Sequence, residues 1–255
     1  MTIANFWKDR FKASSVHFGI SLVVALLAAL LVFGLWYPYP YRYISGGRQL
    51  FFLVIAVDVI LGPLITLAVF NRAKPLRELR RDLAVVVLIQ LVALFYGLWT
   101  VFVARPVHMV FEYDRFRVVH AVDVPRELLR TAPHGVDALP IIGPTLLSLR
   151  AFRDGKEKMD ATLAALQGVS LASRPDFWQP YEAGRTDILK EAQPLAQLKS
   201  RFPNQAAAID SAVANSGFAA DKLGYLPLLG RKDAWTVLID SVNAQPVGYL
   251  PIDSF

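Results

Sequence analysis

The sequence predicts a membrane protein with a three-helix transmembrane bundle and a C-terminal α+β soluble domain. Apolar residues make up 55% of its 255 residues, a share higher than is usual for a soluble domain. The excess is concentrated in residues 16–36, 50–70 and 84–103, each about 20 residues long, which is the length a helix needs to cross the hydrocarbon core. Residues 106–255 have mixed composition and are long enough for one soluble domain.

The three predicted spans are almost free of charge. The only Asp, Glu, Lys or Arg within them is Asp58, in the second span. The first span is longer than the apolar core of a signal peptide, and bulky Trp36 and Tyr37 follow it instead of a small-residue cleavage site. We therefore expect the first span to be a retained anchor.

Cations near the span ends indicate the orientation. The loop between the first two spans holds only Arg42 and Arg48. More cations lie in two other segments. The tail of residues 1–15 holds Lys8, Arg10 and Lys12, and the loop between spans two and three holds Arg72, Lys74, Arg77, Arg80 and Arg81. This distribution predicts a cytoplasmic tail 1–15, a three-span region 16–105 and an exported domain 106–255, which would be periplasmic in a bacterium with two membranes.

Aromatic residues follow the first span and end the third, as is typical of membrane interfaces. They are Trp36, Tyr37, Tyr39, Tyr41, Tyr43, Trp99 and Phe102.

Charge and cysteine content exclude several functional classes. The net charge is +6, but residues 1–105 carry 11 Lys/Arg against 4 Asp/Glu, whereas residues 106–255 carry 16 against 17. The basic excess thus belongs to the membrane half, and the exported half has no net attraction for a polyanion, so we expect no nucleic-acid partner. There is no cysteine, which excludes disulfides, thiol catalysis and cysteine-ligated metals.

The second span carries the most distinctive features within the membrane. A carboxyl at the middle of a span costs several kcal/mol to insert unless it finds a partner. Asp58 therefore predicts a partner contact or a proton relay, or else a hydrogen bond within the bundle. Gly62 and Pro63 follow one turn later, and the proline predicts a kink that opens a notch beside Asp58.

The exported domain alternates strand and helix patterns. Predicted strands are 107–111 and 116–122, forming a first hairpin, and 235–240 and 247–250, forming a second; predicted helices are 156–167, 187–201 and 205–215, punctuated by Pro194 and Pro203. A chain that begins and ends with strands around central helices is typical of the α+β class.

No motif of a known catalytic chemistry occurs in the exported domain. Its histidines, His108, His120 and His134, lack the spacing of a zinc site. The sequence therefore predicts no enzyme, no catalytic residue, no cofactor and no metal. The segment PDFWQPY (175–181) is a rigid loop that either presents Trp178 and Tyr181 to a partner or anchors itself by burying them.

Two segments carry a resemblance to a known family. They are VDVILGPL (57–64) and KPLRELRRDLA (74–84), and further matching stretches extend over nearly the whole chain. The chain resembles the type IV pilin accessory proteins of the TfpX/TfpZ group.

The resemblance implies an inner-membrane accessory protein, or chaperone, that binds and stabilises a cognate type IV pilin before pilus assembly. Its partners would be that pilin, the lipid bilayer and other pilus assembly proteins. On this basis we expect Asp58, Gly62 and Pro63 to receive the pilin helix, and Trp178 and Tyr181 to contact the pilin head.

Two alternatives remain at the level of sequence. A membrane-anchored periplasmic sensor or receptor domain without catalytic activity would need a separate output partner, because the cytoplasmic parts are short. An intramembrane aspartyl peptidase needs two carboxylates sharing a site, and the predicted spans supply only Asp58.

Overall fold

The computed structural model describes residues 3–255 and divides into two compact units. The first comprises the chain up to Pro38 together with Gly47–Val103, and the second comprises Tyr39–Gly46 together with Ala104–Phe255. The loop between the first two spans therefore belongs to the same unit as the C-terminal part of the chain.

Three helices of the first unit are long and apolar enough to cross a membrane, namely Phe6–Trp36, Gly47–Val69 and Leu76–Val103. The first consists of α1 (Ile3–Leu31) and a π-helical segment, Val32–Trp36. The third is α5 (Leu76–Val103). Both begin before the predicted spans, since the charged segments ahead of residues 16 and 84 continue the helices.

The second membrane helix is interrupted near its middle. It consists of α3 (Gly47–Ala56), a π-helical segment (Val57–Leu61) and α4 (Gly62–Val69), with Pro63 in the first turn of α4. Proline has no N–H to offer the preceding turn, and a π-helical turn is a common way to accommodate that loss. The predicted irregularity beside Asp58 is thus present as a widened turn.

The bundle is tightly packed at the end that holds Trp36, Gly47 and Val103, which we call the aromatic end. Phe33 lies against Phe51 with ring centroids 4.9 Å apart. Tyr37 is fully buried and donates a hydrogen bond to the carbonyl of Val101 at 3.1 Å. A side chain at Gly47 would overlap the Tyr37 ring. Tyr37 thus packs within the bundle at the end of the first span, and its position at a membrane interface stays a prediction.

The second unit is built on an eight-stranded mixed sheet. Its strands are β1 (Pro106–Glu112), β2 (Arg115–His120), β3 (Thr145–Leu149), β4 (Trp178–Pro180), β5 (Gln193–Pro194), β6 (Leu223–Leu229), β7 (Ala234–Asp240) and β8 (Pro246–Leu250). The order is β4-β3-β1-β2-β6-β7-β8, and β5 pairs with β6. The β1–β3 and β2–β6 pairs are parallel, and the other pairs are antiparallel.

Helices of the second unit connect these strands. In addition to the short α2 (Tyr41–Ile44), they are α6 (Gly155–Leu166), α7 (Arg185–Glu191), α8 (Leu195–Arg201) and α9 (Ala206–Ser216). Both predicted hairpins are confirmed as β1–β2 and β7–β8, although β2 ends at His120 and not at 122. The predicted helical segment 187–201 is divided at its predicted break, Pro194, into α7 and α8. The chain extends at Gln193–Pro194 to form β5, because residues before a proline disfavour the helical conformation.

The first loop contributes to the core of the second unit. Ile44 of α2 is fully buried and Tyr41 is 5% exposed, in a cluster with Phe116, Leu228 and Val237. Tyr41 was predicted to mark a membrane interface, but its ring is enclosed in the core of the second unit and is not exposed for contact with lipid. Tyr39 and Tyr43 are 53% and 40% exposed.

Candidate functional site

The first unit contains an open cavity of about 550 Å³ between its three helices. It lies in the half of the bundle away from the aromatic end, on the side of the basic segment 71–75. Its lining residues are Asp9, Lys12, Ala13, Val16, His17, Ile20, Ser21, Val24, Asp58, Thr66, Phe70, Arg72, Leu83, Val87, Gln90, Leu91 and Leu94.

Each helix contributes one face to the cavity. Val16, Ile20 and Val24 repeat every four residues along α1, and Val87, Leu91 and Leu94 repeat similarly along α5, so each set lies on one side of its helix. α1 packs chiefly on α4, and α5 packs on α3 and α4, whereas α1 and α5 make little contact with each other within residues 3–255. The cavity is therefore a groove between α1 and α5 with the second membrane helix as its floor.

The walls of the groove are apolar and open. Ile20 is 59% exposed, Val87 49% and Leu91 45%. Water does not cover such surfaces favourably, so in a membrane protein they face lipid tails or another apolar helix.

Asp58 lines the groove and is only 7% exposed. Its Oδ1 atom is buried and makes no hydrogen bond to any of the residues that the structure describes. A buried carboxyl oxygen without a donor is costly, most of all at membrane depth.

The backbone at Asp58 is held by Gln90 of α5. In a π-helical ladder the Asp58 carbonyl would accept from residue 63, which is a proline without an N–H. The Gln90 side-chain amide donates to this carbonyl at 3.4 Å instead. A Cβ atom at Gly62 would overlap that amide group, so glycine leaves the space that the Gln90 amide occupies.

Polar contacts also join α1 to α4 beside Pro63. The Ser14 hydroxyl donates to the Pro63 carbonyl at 2.9 Å, and His17 Nδ1 lies 2.5 Å from the Thr66 hydroxyl. Asp58, Gly62 and Pro63 are all buried or nearly so at the groove. Of the three, Asp58 lines the groove, and Gly62 and Pro63 support its floor.

Trp178 and Tyr181 lie in the second unit and are 2% and 6% exposed. The Trp178 indole donates to the Ala172 carbonyl at 2.7 Å, and its ring packs edge-on against His108. The Tyr181 hydroxyl donates to the Ala244 carbonyl at 2.5 Å, and burial raises the pKa of this phenol, which keeps its proton. Of the two interpretations of this loop, burial favours the anchor, and the contact of these rings with a partner stays a prediction.

The sequence did not single out Gln90, Ile20 or Leu91. An amide or an isoleucine within a span is common, and the only signal was that Gln90 is the most polar residue of the third predicted span. Within residues 3–255, no cluster of three or more His, Asp or Glu side chains could hold a metal ion.

Comparisons with known proteins identify relatives. A family model described as the fimbrial assembly protein FimB matches residues 5–46. The fimbrial assembly protein of serogroup E1 from Dichelobacter nodosus is 35% identical over 254 residues, covering 97% of this chain and 98% of the relative. The serogroup I protein of the same organism has the same identity and coverage. No solved structure matches the chain.

Three membrane-spanning helices and a folded unit built on a mixed sheet define an integral membrane protein. The chain belongs to the fimbrial assembly protein family, and its role lies in the assembly of fimbriae. The resemblance to type IV pilus accessory proteins is thereby confirmed.

Proposed function

We propose that this protein is an inner-membrane accessory protein that binds and stabilises a cognate type IV pilin before the pilin enters the pilus. The observation that carries the proposal is the open, apolar groove between α1 and α5. A pilin waiting in the membrane presents one hydrophobic helix, and the groove offers that helix two apolar walls and a floor.

Shape and surface chemistry support a helix as the occupant. Helices in lipid associate through van der Waals packing and a few hydrogen bonds, because lipid tails already satisfy apolar side chains. The groove supplies apolar walls along several turns of α1 and α5. It also supplies polar groups that lipid tails cannot satisfy, among them Asp58 and Gln90.

The proposed location is the bacterial inner membrane, with the N-terminus in the cytoplasm and residues 104–255 in the periplasm. The cation-rich segments around Lys12 and Arg72 support this orientation through the positive-inside rule. In it, the groove opens in the cytoplasmic half of the bilayer.

A photocrosslinking experiment tests the proposal. Ile20 lines the groove and Val23 does not, yet both side chains are 59% exposed on α1. Each residue is replaced in turn by p-benzoylphenylalanine in cells that express the major type IV pilin. We expect Ile20 to give a crosslink to pilin and Val23 to give none. Equal yields at both positions, or no crosslink at either, would contradict a groove that receives the pilin.

A further inference from the structure

The groove is closed at the middle of the bundle. The lining residues nearest the aromatic end are Val24, Asp58 and Leu94. Beyond them the helices meet in a packed cluster in which Val32 and Val101 are fully buried. An occupant can therefore follow the groove only from its basic end to about the level of Asp58.

Asp58 lies at the centre of its span. The second membrane helix has 23 residues, Gly47–Val69, and Asp58 is the twelfth. At 1.5 Å per residue this places it about 16 Å from either end of the helix. Lipid headgroups lie at the surfaces of the bilayer, so a headgroup is the wrong chemistry for this depth.

The Asp58 side chain carries a buried hydrogen-bond acceptor to which no donor is bound within residues 3–255. Its carbonyl is bonded to Gln90, which holds the backbone in place. The side-chain Oδ1 has no hydrogen-bond partner among residues 3–255. Val24 and Leu94 beside it are apolar, and the donors that the groove does contain, such as those on His17, Ser21 and Gln90, make no hydrogen bond to this oxygen.

We propose that the Asp58 carboxyl accepts a hydrogen bond from a donor carried by the occupant of the groove, an apolar transmembrane helix with one hydroxyl, amide or amine group at mid-membrane depth. This inference rests on the proposed function, and it adds how the partner is recognised. The apolar walls accept many helices, whereas the single polar contact selects a helix with a donor and fixes its axial register.

The register can be measured because the chain has no cysteine. Ile20→Cys is combined with a scan of single cysteines along the helix of the major pilin, and disulfide yield is measured in membranes. Wild-type Asp58 is expected to give one maximum with helical periodicity. Asp58→Leu is expected to lower the ratio of that maximum to the next turn by about 3- to 20-fold, the range of one interhelical hydrogen bond in lipid.

Two variants serve as controls. Asp58→Asn keeps the shape and one acceptor oxygen, so it should retain more of the maximum than Asp58→Leu does. Asp9→Asn removes a carboxylate that lines the same groove at its basic end, where it contacts Arg72, and it should leave the register unchanged.

The donor is then sought by substituting each polar group of the pilin helix with alanine or leucine. One pilin substitution should lower the ratio of the disulfide maximum to the next turn as much as Asp58→Leu does. Combining that substitution with Asp58→Leu should lower the ratio no further.

The outcomes separate the two proposals. If the Ile20→Cys variant gives no disulfide at any pilin position with Asp58 intact, both the proposed function and this inference are overturned. If disulfides form with a single maximum that Asp58→Leu leaves unchanged, only this inference is overturned. The inference is also overturned if Asp58→Leu lowers the disulfide ratio but no substitution of a pilin donor reproduces that effect, since the lower ratio then reflects the shape of the groove.

Discussion

Gly62 and Gln90 show how a single residue controls the floor of the groove. Glycine within a helix normally costs about 1 kcal/mol relative to alanine, so a glycine here needs a reason. The reason is the Gln90 amide, which occupies the space of the absent Cβ and reaches the Asp58 carbonyl.

Gly62→Ala is predicted to displace the Gln90 amide. Since the displaced group is the flexible end of a side chain and alanine favours the helix, we expect thermal stability in detergent to change little, while the yield of the Ile20 crosslink to pilin falls. Gly19→Ala is the control, because a Cβ there meets nothing within 4 Å. Combining Gly62→Ala with Gln90→Ala should lower the crosslink yield no further than Gln90→Ala alone. Additive reductions in yield would contradict the contact between Gly62 and Gln90.

The sequence could predict one side of this contact and not the other. Asp58, Gly62 and Pro63 are conspicuous because a charge, a glycine and a proline are each unfavourable in a span. Gln90 is 32 positions from Asp58, and only the packing of α5 on the second membrane helix brings the two together.

His108 makes the second unit sensitive to acid. It is fully buried beside Trp178, with Nδ1 2.7 Å from the Thr145 hydroxyl and Nε2 3.1 Å from the Ala138 carbonyl. Burial lowers the pKa of the imidazole to about 4. The neutral ring is therefore the form that the folded state holds.

The free energy of unfolding is predicted to fall as the pH drops from about 6.5, the ordinary pKa of histidine, towards 4. In this pH window His108 binds a proton in the unfolded chain but not in the folded chain. The resulting decrease in the free energy of unfolding attributable to His108 reaches about 3 kcal/mol. Denaturant unfolding of the full chain in detergent, followed by tryptophan fluorescence, measures it. His108→Gln should flatten the pH dependence; an equal loss of stability in that variant would exclude His108 as the cause.

At the scale of elements, α2 lies in the sequence between two membrane helices and in the structure within the core of the second unit. The Ile44 carbonyl accepts from the backbone of Lys232 at 3.2 Å, and Tyr41 contacts Met109 and Tyr249. A side chain at Gly230 would overlap Ile44. Both backbone hydrogen bonding and side-chain packing thus hold α2 in the core of the second unit.

Ile44→Ala is predicted to destabilise the second unit by about 2–5 kcal/mol, because it removes buried methyl groups and leaves a cavity. Ile142→Ala is the matched control, since Ile142 lies in the same unit with 68% of its surface exposed, and it should change stability by less than about 0.5 kcal/mol. Limited proteolysis of the full chain in detergent compares the two. Equal sensitivity of both variants would show that α2 does not contribute to the core.

Local patterns explain which elements could be predicted. The two hairpins have alternating or β-branched strands joined by short turns, and both are present. β6 was missed because it contains Gly224 and Pro227, two residues that disfavour strands. A Cβ placed at Gly224 would lie 3.1 Å from the Ala192 Cβ, a tight approach that arises from tertiary packing. The position of α2 was missed for the same reason, since its aromatic residues also fit a membrane interface.

At the scale of the whole molecule, the division into a helical unit and a sheet-based unit follows from composition alone. The sequence could not predict that residues 39–46 belong to the second unit, because their partners lie up to about two hundred residues further along the chain.

The proposed orientation of the whole chain gives a further prediction. Alkaline phosphatase fused after Phe255 should be active, and the same enzyme inserted in the segment between Asn71 and Pro75 should be inactive, because the proposed orientation keeps that cation-rich segment in the cytoplasm. A fluorescent protein that matures only in the cytoplasm should give the opposite result at each position. Phosphatase activity only when the enzyme is inserted between Asn71 and Pro75 would reverse the proposed orientation of the chain.

The sharing of α2 between distant parts of the chain has a consequence for biosynthesis. Tyr41 and Ile44 leave the ribosome early, whereas Trp235 and Tyr249, which complete their cluster, are among the last residues made. At 5–20 residues per second, translation of the roughly 190 intervening residues takes about 10 to 40 seconds. During that interval this apolar segment stays uncovered, and a chain interrupted before β7 would expose it permanently to proteases that degrade unfinished proteins.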